Sequence, residues 1–209
     1  LPFLYNESIS KVFRFQITNL SERRNIISMP LLQPTLYTLD YIYQLPEGKR
    51  AELIDGQVYD MAPPTRIHQE IVSGLHYKIR DFIDSKHGSC RVYPAPFAVF
   101  LNADDRNYVE PDISVVCKTD RLDEKGCNGA PDWIIEIVSP GTKHMDYGVK
   151  LYKYRTAGVR EYWIVNPMTR IVNVYDSEHE VKTDQHTFQD EIPSCIFDGL
   201  TLRLEELLP

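Results

Sequence analysis

No stretch of this chain approaches the roughly 18 consecutive apolar residues that a membrane-crossing helix needs, so no membrane association is expected. None of the four cysteines falls in a C-x-x-C pair, which argues against a zinc site. A glycine-rich phosphate loop is also missing, and that counts against a hydrolase of small phosphate-bearing molecules. Basic charge is in short supply: the net charge is −7 and the pI about 5.4. Strong non-specific binding to nucleic acid is therefore not expected, although an acidic body leaves room for a basic cleft. Internal repeats and low-complexity tracts are absent as well.

What is present fits one domain, or one domain with an extension, in 209 residues. A hydrophobic content of 43% with 25% charged residues is that of an ordinary globular protein. Cys90, Cys117, Cys127 and Cys195 read as reduced thiols in a cytoplasmic protein. Residues 1–28 read as an N-terminal extension. Within it Lys11 to Thr18 alternates, with Phe13, Phe15 and Ile17 on one face, which predicts an added half-buried strand. Leu1 to Leu4 is too short for a secretory apolar core. Residues 29–209 are expected to form a single domain.

Thr38 to about Gln44 predicts a short helix with Thr38 as its N-cap. Asp55-Gly56 between two strand-like segments predicts a tight hairpin. Ile67, Ile71, Leu75, Ile79, Phe82 and Ile83 recur at helical spacing, so Arg66 to His87 predicts the longest helix, capped by Gly88. Arg91 to Leu101 predicts a strand bent at Pro94 and Pro96. Strands follow around Asp112 and over Trp133 to Val138. A second helix runs from a cap at Thr142 to Gly158, and Glu161 to Val165 is the next strand. Ile171 to Tyr175, and Thr187 onwards, predict further strands with a last helical turn. Strand runs flanked by helices predict an α/β fold with a mixed sheet covered on both faces.

Two acids stand out against this pattern. Glu136 interrupts the otherwise apolar run Trp133 to Val138, and Asp112 opens the run Ile113 to Val116. An unpaired carboxylate in a buried strand costs roughly several kcal/mol. A buried cation, a metal ion or a raised pKa each offsets that cost. Two carboxylates on neighbouring strands repel one another, and oxygen ligation of Mg²⁺ or Mn²⁺ removes that penalty.

Pro111-Asp112 followed by Glu136-Ile137-Val138, in this element order, resembles the PD-(D/E)XK nuclease superfamily. More closely, several segments together resemble the Uma-type restriction-endonuclease family. They are Glu110-Pro111-Asp112, Ile135 to Pro140, Asp146, Lys150, Tyr154, Gly158 to Trp163 and the upstream Glu52 to Gly56. The resemblance spans about Leu39 to Leu204. It implies a restriction-endonuclease-like core in the order helix, strand, strand, strand, helix, strand. It also implies metal-dependent hydrolysis of DNA phosphodiester bonds. In that scheme Asp112 and Glu136 hold Mg²⁺ (or Mn²⁺), and Glu52 and Lys150 join them as catalytic residues. The lysine that the superfamily places two residues after the glutamate is Val138 here, and Lys150 on the second helix is its replacement.

Plainer readings stand beside these. Asp112 is also a turn former, Glu136 a structural ion-pair partner and Glu52 a solvated hairpin residue. Asp146 and Lys150 have the spacing of a surface helix pair. His68, Lys143 and Lys153 are candidate substrate-binding residues, but the commoner fates are an exposed histidine and a solvated basic face. A nuclease fold that binds DNA or a protein without cutting is the competing function. Cutting both strands of a duplex is simplest with two active sites, which makes a homodimer the expected assembly.

Overall fold

The computed structural model describes residues 35–141, 143–179 and 182–208. The expected strand within residues 1–28, the boundary at 28/29 and the cap at Thr142 fall outside them.

A short helix, α1 (Leu39–Tyr43), starts after Thr38, whose side chain makes no capping bond. β1 (Ala51–Ile54) and β2 (Gln57–Asp60) then pair antiparallel across the turn at Asp55-Gly56. Both turn residues have positive φ, 50° and 77°, the combination a two-residue turn of this hand demands. The long helix α2 runs Arg66–Ser85, and the Thr65 hydroxyl accepts the His68 N–H at its start. At its end His87, not the expected Gly88, takes the left-handed conformation, at φ 52°.

β3 (Arg91–Pro94), β5 (Ile113–Val116), β7 (Trp133–Ile137), β8 (Glu161–Asn166), β9 (Ile171–Asp176) and β10 (Lys182–Thr187) form the central sheet. Its order is β10-β9-β8-β7-β5-β3. Within this sheet, among the described residues, β7 and β8 are the one parallel pair, and the chain between them makes the helical crossover that a parallel pair requires. The expected single strand from Arg91 to Leu101 is two. β3 ends at Pro94, and after the cis Ala95-Pro96 bond β4 (Val99–Phe100) leaves to pair with β6 (Cys127–Asn128). β11 (Ile192–Pro193) pairs with β12 (Thr201–Leu202), and a 3₁₀ turn at Leu204–Leu207 follows.

Side-chain alternation along β7 divides the core. Trp133, Ile135 and Ile137 face one side, with Ile71, Leu75, Ile79 and Ile83 of α2. Ile134 and Val138 face the other, with Tyr154, Val159 and Tyr162. Each fully buried aliphatic side chain of α2 contributes about 1.5–3 kcal/mol, so this apolar stripe secures the helix to the sheet. Leu75→Ala would cost about 2–5 kcal/mol by cavity formation. Glu136 points to the Ile134 side, toward the crossover. That crossover is not a uniform helix: Met145–Lys150 is a π-helix and Leu151–Ala157 an α-helix, α3. Gly158, at φ 94°, terminates it.

The thiol reading needs one correction. Arg91 pairs with Val116, so one further step of the β3/β5 ladder sets Cys90 opposite Cys117, and the two form a disulfide. Cys127 and Cys195 are free.

Candidate active site

The β5/β7 ladder sets Ile113 opposite Ile135, and one more step sets Asp112 opposite Glu136. Each acid is tied to the other's strand by a backbone bond. The Asp112 N–H donates to Glu136 Oε2 at 3.3 Å, and the Ile137 N–H donates to Asp112 Oδ2 at 2.7 Å. His68, in the first turn of α2, brings Nε2 within 3.1 Å of the same Asp112 oxygen. Its side chain is only 12% exposed, so the solvated-histidine reading fails.

Lys150 ends the π-helix and reaches back to the sheet. Its Nζ donates to Glu136 Oε1 at 2.9 Å and lies 2.7 Å from Glu52 Oε2 on β1. The Tyr154 hydroxyl donates to Glu136 Oε1 at 2.7 Å, and the Glu110 N–H donates to Glu52 Oε1 at 3.1 Å. Lys150 and Asp146 are both buried, which overturns their reading as a surface pair. Glu52 is buried too and is no solvated hairpin residue. π-turns often occur at functional sites because the extra residue re-aims the side chains that follow. Here both members of the i,i+4 pair turn toward the sheet.

Glu52, Asp112, Glu136, Asp146, Lys150 and His68 line one cleft of about 280 Å³. Glu52, Glu136 and Asp146 thus act on one ammonium, with Asp112 lining the same cleft. Burial pushes the Glu136 carboxyl well above the usual range; Lys150 opposes that shift, while Asp112, Asp146 and Glu52 add to it. Burial disfavours the Lys150 ammonium, yet Glu136 and Glu52 outweigh it and hold the lysine protonated. Surplus negative charge is the electrostatic character of the site.

Lys143 is exposed, and neither it nor Lys153 lines the cleft. Lys153 is buried and bonds to Asp55, bracing the hairpin turn against α3.

A family model described as "Putative restriction endonuclease", Uma2, matches residues 39–205. The chain belongs to the Uma2 family. This is the family its motifs resemble, and the matched span holds every residue of the cleft. An uncharacterized protein of Synechocystis sp. is 25% identical over 146 residues, which is 68% of this chain and 74% of that protein. A crystal structure described as a "putative nuclease belonging to DUF820", from Anabaena variabilis, superposes with a TM-score of 0.67. It is 24% identical and covers 83% of this chain and 97% of its own, so the likeness is one of fold. That fold bears out the mixed α/β architecture expected from the motifs.

In this Uma2-family chain Val138 occupies the position where the wider superfamily carries its lysine. It packs in the apolar cluster with Tyr154 and Ile164. The ammonium comes from the crossover helix instead, so lysine position and strand packing are decoupled.

The carboxylates that could hold a divalent cation are Asp112 and Glu136. Among the described residues no three His, Cys, Asp or Glu side chains form a ready metal cage. Mg²⁺ does not require one, because it commonly takes one or two carboxylates and completes its shell with water and phosphate oxygens. The uncompensated negative charge of the cleft fits such an ion.

Among the cleft residues that the sequence did not single out as functional candidates are Arg50 and Glu110. The signal was available for Arg50, since residues two apart on a strand share a face and Glu52 was already in view.

Proposed function

We propose that this protein is a metal-dependent endonuclease that hydrolyses DNA phosphodiester bonds. One observation carries the reading: Lys150 bridges Glu136 and Glu52 in the same cleft as Asp112. That grouping unites an oxygen ligand pair with a fixed positive charge.

Asp112 and Glu136 would hold Mg²⁺ or Mn²⁺, which when bound supplies water activation and neutralises charge building on the scissile phosphate. Lys150, held protonated by its carboxylates, acts as an electrostatic group and not as a base. Its ammonium would steady the attacking water and the negative phosphate oxygens. Glu52 fixes that ammonium, Tyr154 fixes Glu136, and the Ile137 N–H with His68 fixes Asp112. Preorganisation of this kind lowers the barrier because no dipole must turn at the moment of reaction.

A second reading has one observation in its favour. The Lys150 ammonium is already committed to two carboxylates. A fold kept for binding DNA or a protein, without cutting, would look the same.

Supercoiled plasmid with Mg²⁺ or Mn²⁺, against EDTA and the Asp112→Ala, Glu136→Ala and Lys150→Ala variants, separates the two. Metal-dependent nicking lost in all three variants supports the nuclease. Duplex binding without any nicking supports the binding module. Two copies acting together would cut both strands, and elution at a dimer's volume would support that assembly.

A further inference from the structure

Arg50 immediately precedes β1, and its carbonyl accepts the Met61 N–H at 3.0 Å, extending the hairpin ladder by one pair. Two residues before Glu52, it shares that residue's face and lines the same cleft. Its guanidinium is anchored at one edge. Nε donates to Glu110 Oε2 at 2.7 Å, Nη2 donates to the same oxygen, and the Tyr108 hydroxyl donates to Glu110 Oε1 at 2.6 Å. The Glu110 side chain is 8% exposed and that of Arg50 is 39% exposed. The pair is thus buried at its carboxylate end and open at its guanidinium end. Among the described residues nothing bonds to Nη1.

The remaining charges of the cleft make this opening informative. Lys150 is committed to Glu52 and Glu136, and His68 to Asp112. An acid-lined cleft on a protein of net charge −7 repels a polyanion. Among the described residues of the cleft, Arg50 is the cation whose side chain stays substantially exposed and whose Nη1 makes no bond. A planar guanidinium held at one edge is preorganised to receive a phosphate oxygen at the other.

We infer that Arg50 is a phosphate-binding residue, whose Nη1 edge takes a phosphodiester oxygen neighbouring the cut and holds the strand over the acidic site. The inference rests on the nuclease reading. Glu110 and Tyr108 are then positioning residues that act through Arg50.

Anisotropy of a short fluorescein-labelled duplex, with Ca²⁺ in place of Mg²⁺ and over a salt series, tests it beside plasmid nicking by the wild type. Arg50→Ala is expected to weaken duplex binding roughly tenfold and to lower the slope of log Kd against log salt by about one. Because Arg50→Ala leaves Glu110 buried without its cation, Arg50→Gln combined with Glu110→Gln is measured as well. The double variant removes both charges and is expected to melt near the wild type and show the same loss. Wild-type affinity and slope in the variants, with a wild type that binds and nicks, overturns the role of Arg50 alone. Weakened binding with an unchanged slope also overturns it, because that outcome marks a structural effect. A wild type that neither binds nor nicks overturns the nuclease reading, and this inference with it.

Discussion

Lys150 donates to Glu136 at 2.9 Å across fourteen residues of chain, from the last position of a π-helix to the middle of the sheet. This contact joins the two halves of the site. It also supplies the compensation that a glutamate within an apolar strand demands. Of the three compensations legible in the sequence, the structure provides the buried cation, and Glu136 has a raised pKa besides.

Removing the ammonium is therefore expected to destabilise the fold. Lys150→Met leaves Glu52 and Glu136 buried without their counter-charge, which costs about 3–5 kcal/mol. Urea unfolding followed by tryptophan fluorescence measures it. A change below about 1 kcal/mol would show that the pair is solvated in solution.

His68 holds Asp112 from outside the proposed ligand pair. Partners of this type are worth about 10–100-fold in metal affinity or activity. His68→Ala is expected to raise the Mn²⁺ concentration for half-maximal nicking by about that factor, and His68→Gln to restore part of it. An unchanged metal titration in His68→Ala would remove His68 from the site.

Away from the cleft, Glu161 is buried in β8. It accepts bonds from Trp163 Nε1, Ser194 Oγ and the Ile196 N–H, at 2.6, 2.8 and 3.1 Å. Burial raises its pKa above 4.5 despite those bonds. The folded state then binds a proton at higher pH than the unfolded chain does. Stability falls as pH rises between the usual glutamate value and the raised one, and the penalty is fully present above that window. Wild-type stability minus that of Glu161→Gln is expected to decline with rising pH across the window and to be flat outside it. A flat difference throughout would refute the shift.

Thiol titration in denaturant checks the pairing of Cys90 with Cys117. Two thiols, Cys127 and Cys195, are expected to react before reduction, and all four cysteines afterwards. Four reactive thiols without reductant would show that the bond does not form in the purified protein.

Helical periodicity gave α2 within two residues of its C-terminus, and Asp55-Gly56 gave the hairpin turn, because both signals are local. β10 went unread for the opposite reason. Its sequence Lys-Thr-Asp-Gln-His-Thr has no apolar alternation, and the strand exists because β9 offers it a ladder edge. The break of the Arg91–Leu101 segment into β3 and β4 was legible at its two prolines, but the partner of β4 was not. β6 comes from a polar loop, and Gly126 in that loop adopts φ 151° with its Cα against the Ala98 carbonyl.

Asp112, Glu136, Glu52 and Lys150 were identifiable as candidates because a charge inside an apolar run, or within a matched motif, is conspicuous in one dimension. The sequence by itself determined the fold class, the two strand acids and the family, since periodicity and motif spacing are properties of the chain. Which charges touch, and which cations are consumed, was decided by tertiary structure alone. Ladder register sets Asp112 against Glu136, the π-turn aims Lys150 inward, and burial converts Lys153 into a brace for Asp55 while leaving the outer edge of Arg50 open. Pairing energies of charges depend on distances of a few ångströms and on local dielectric, and neither is written in the order of residues.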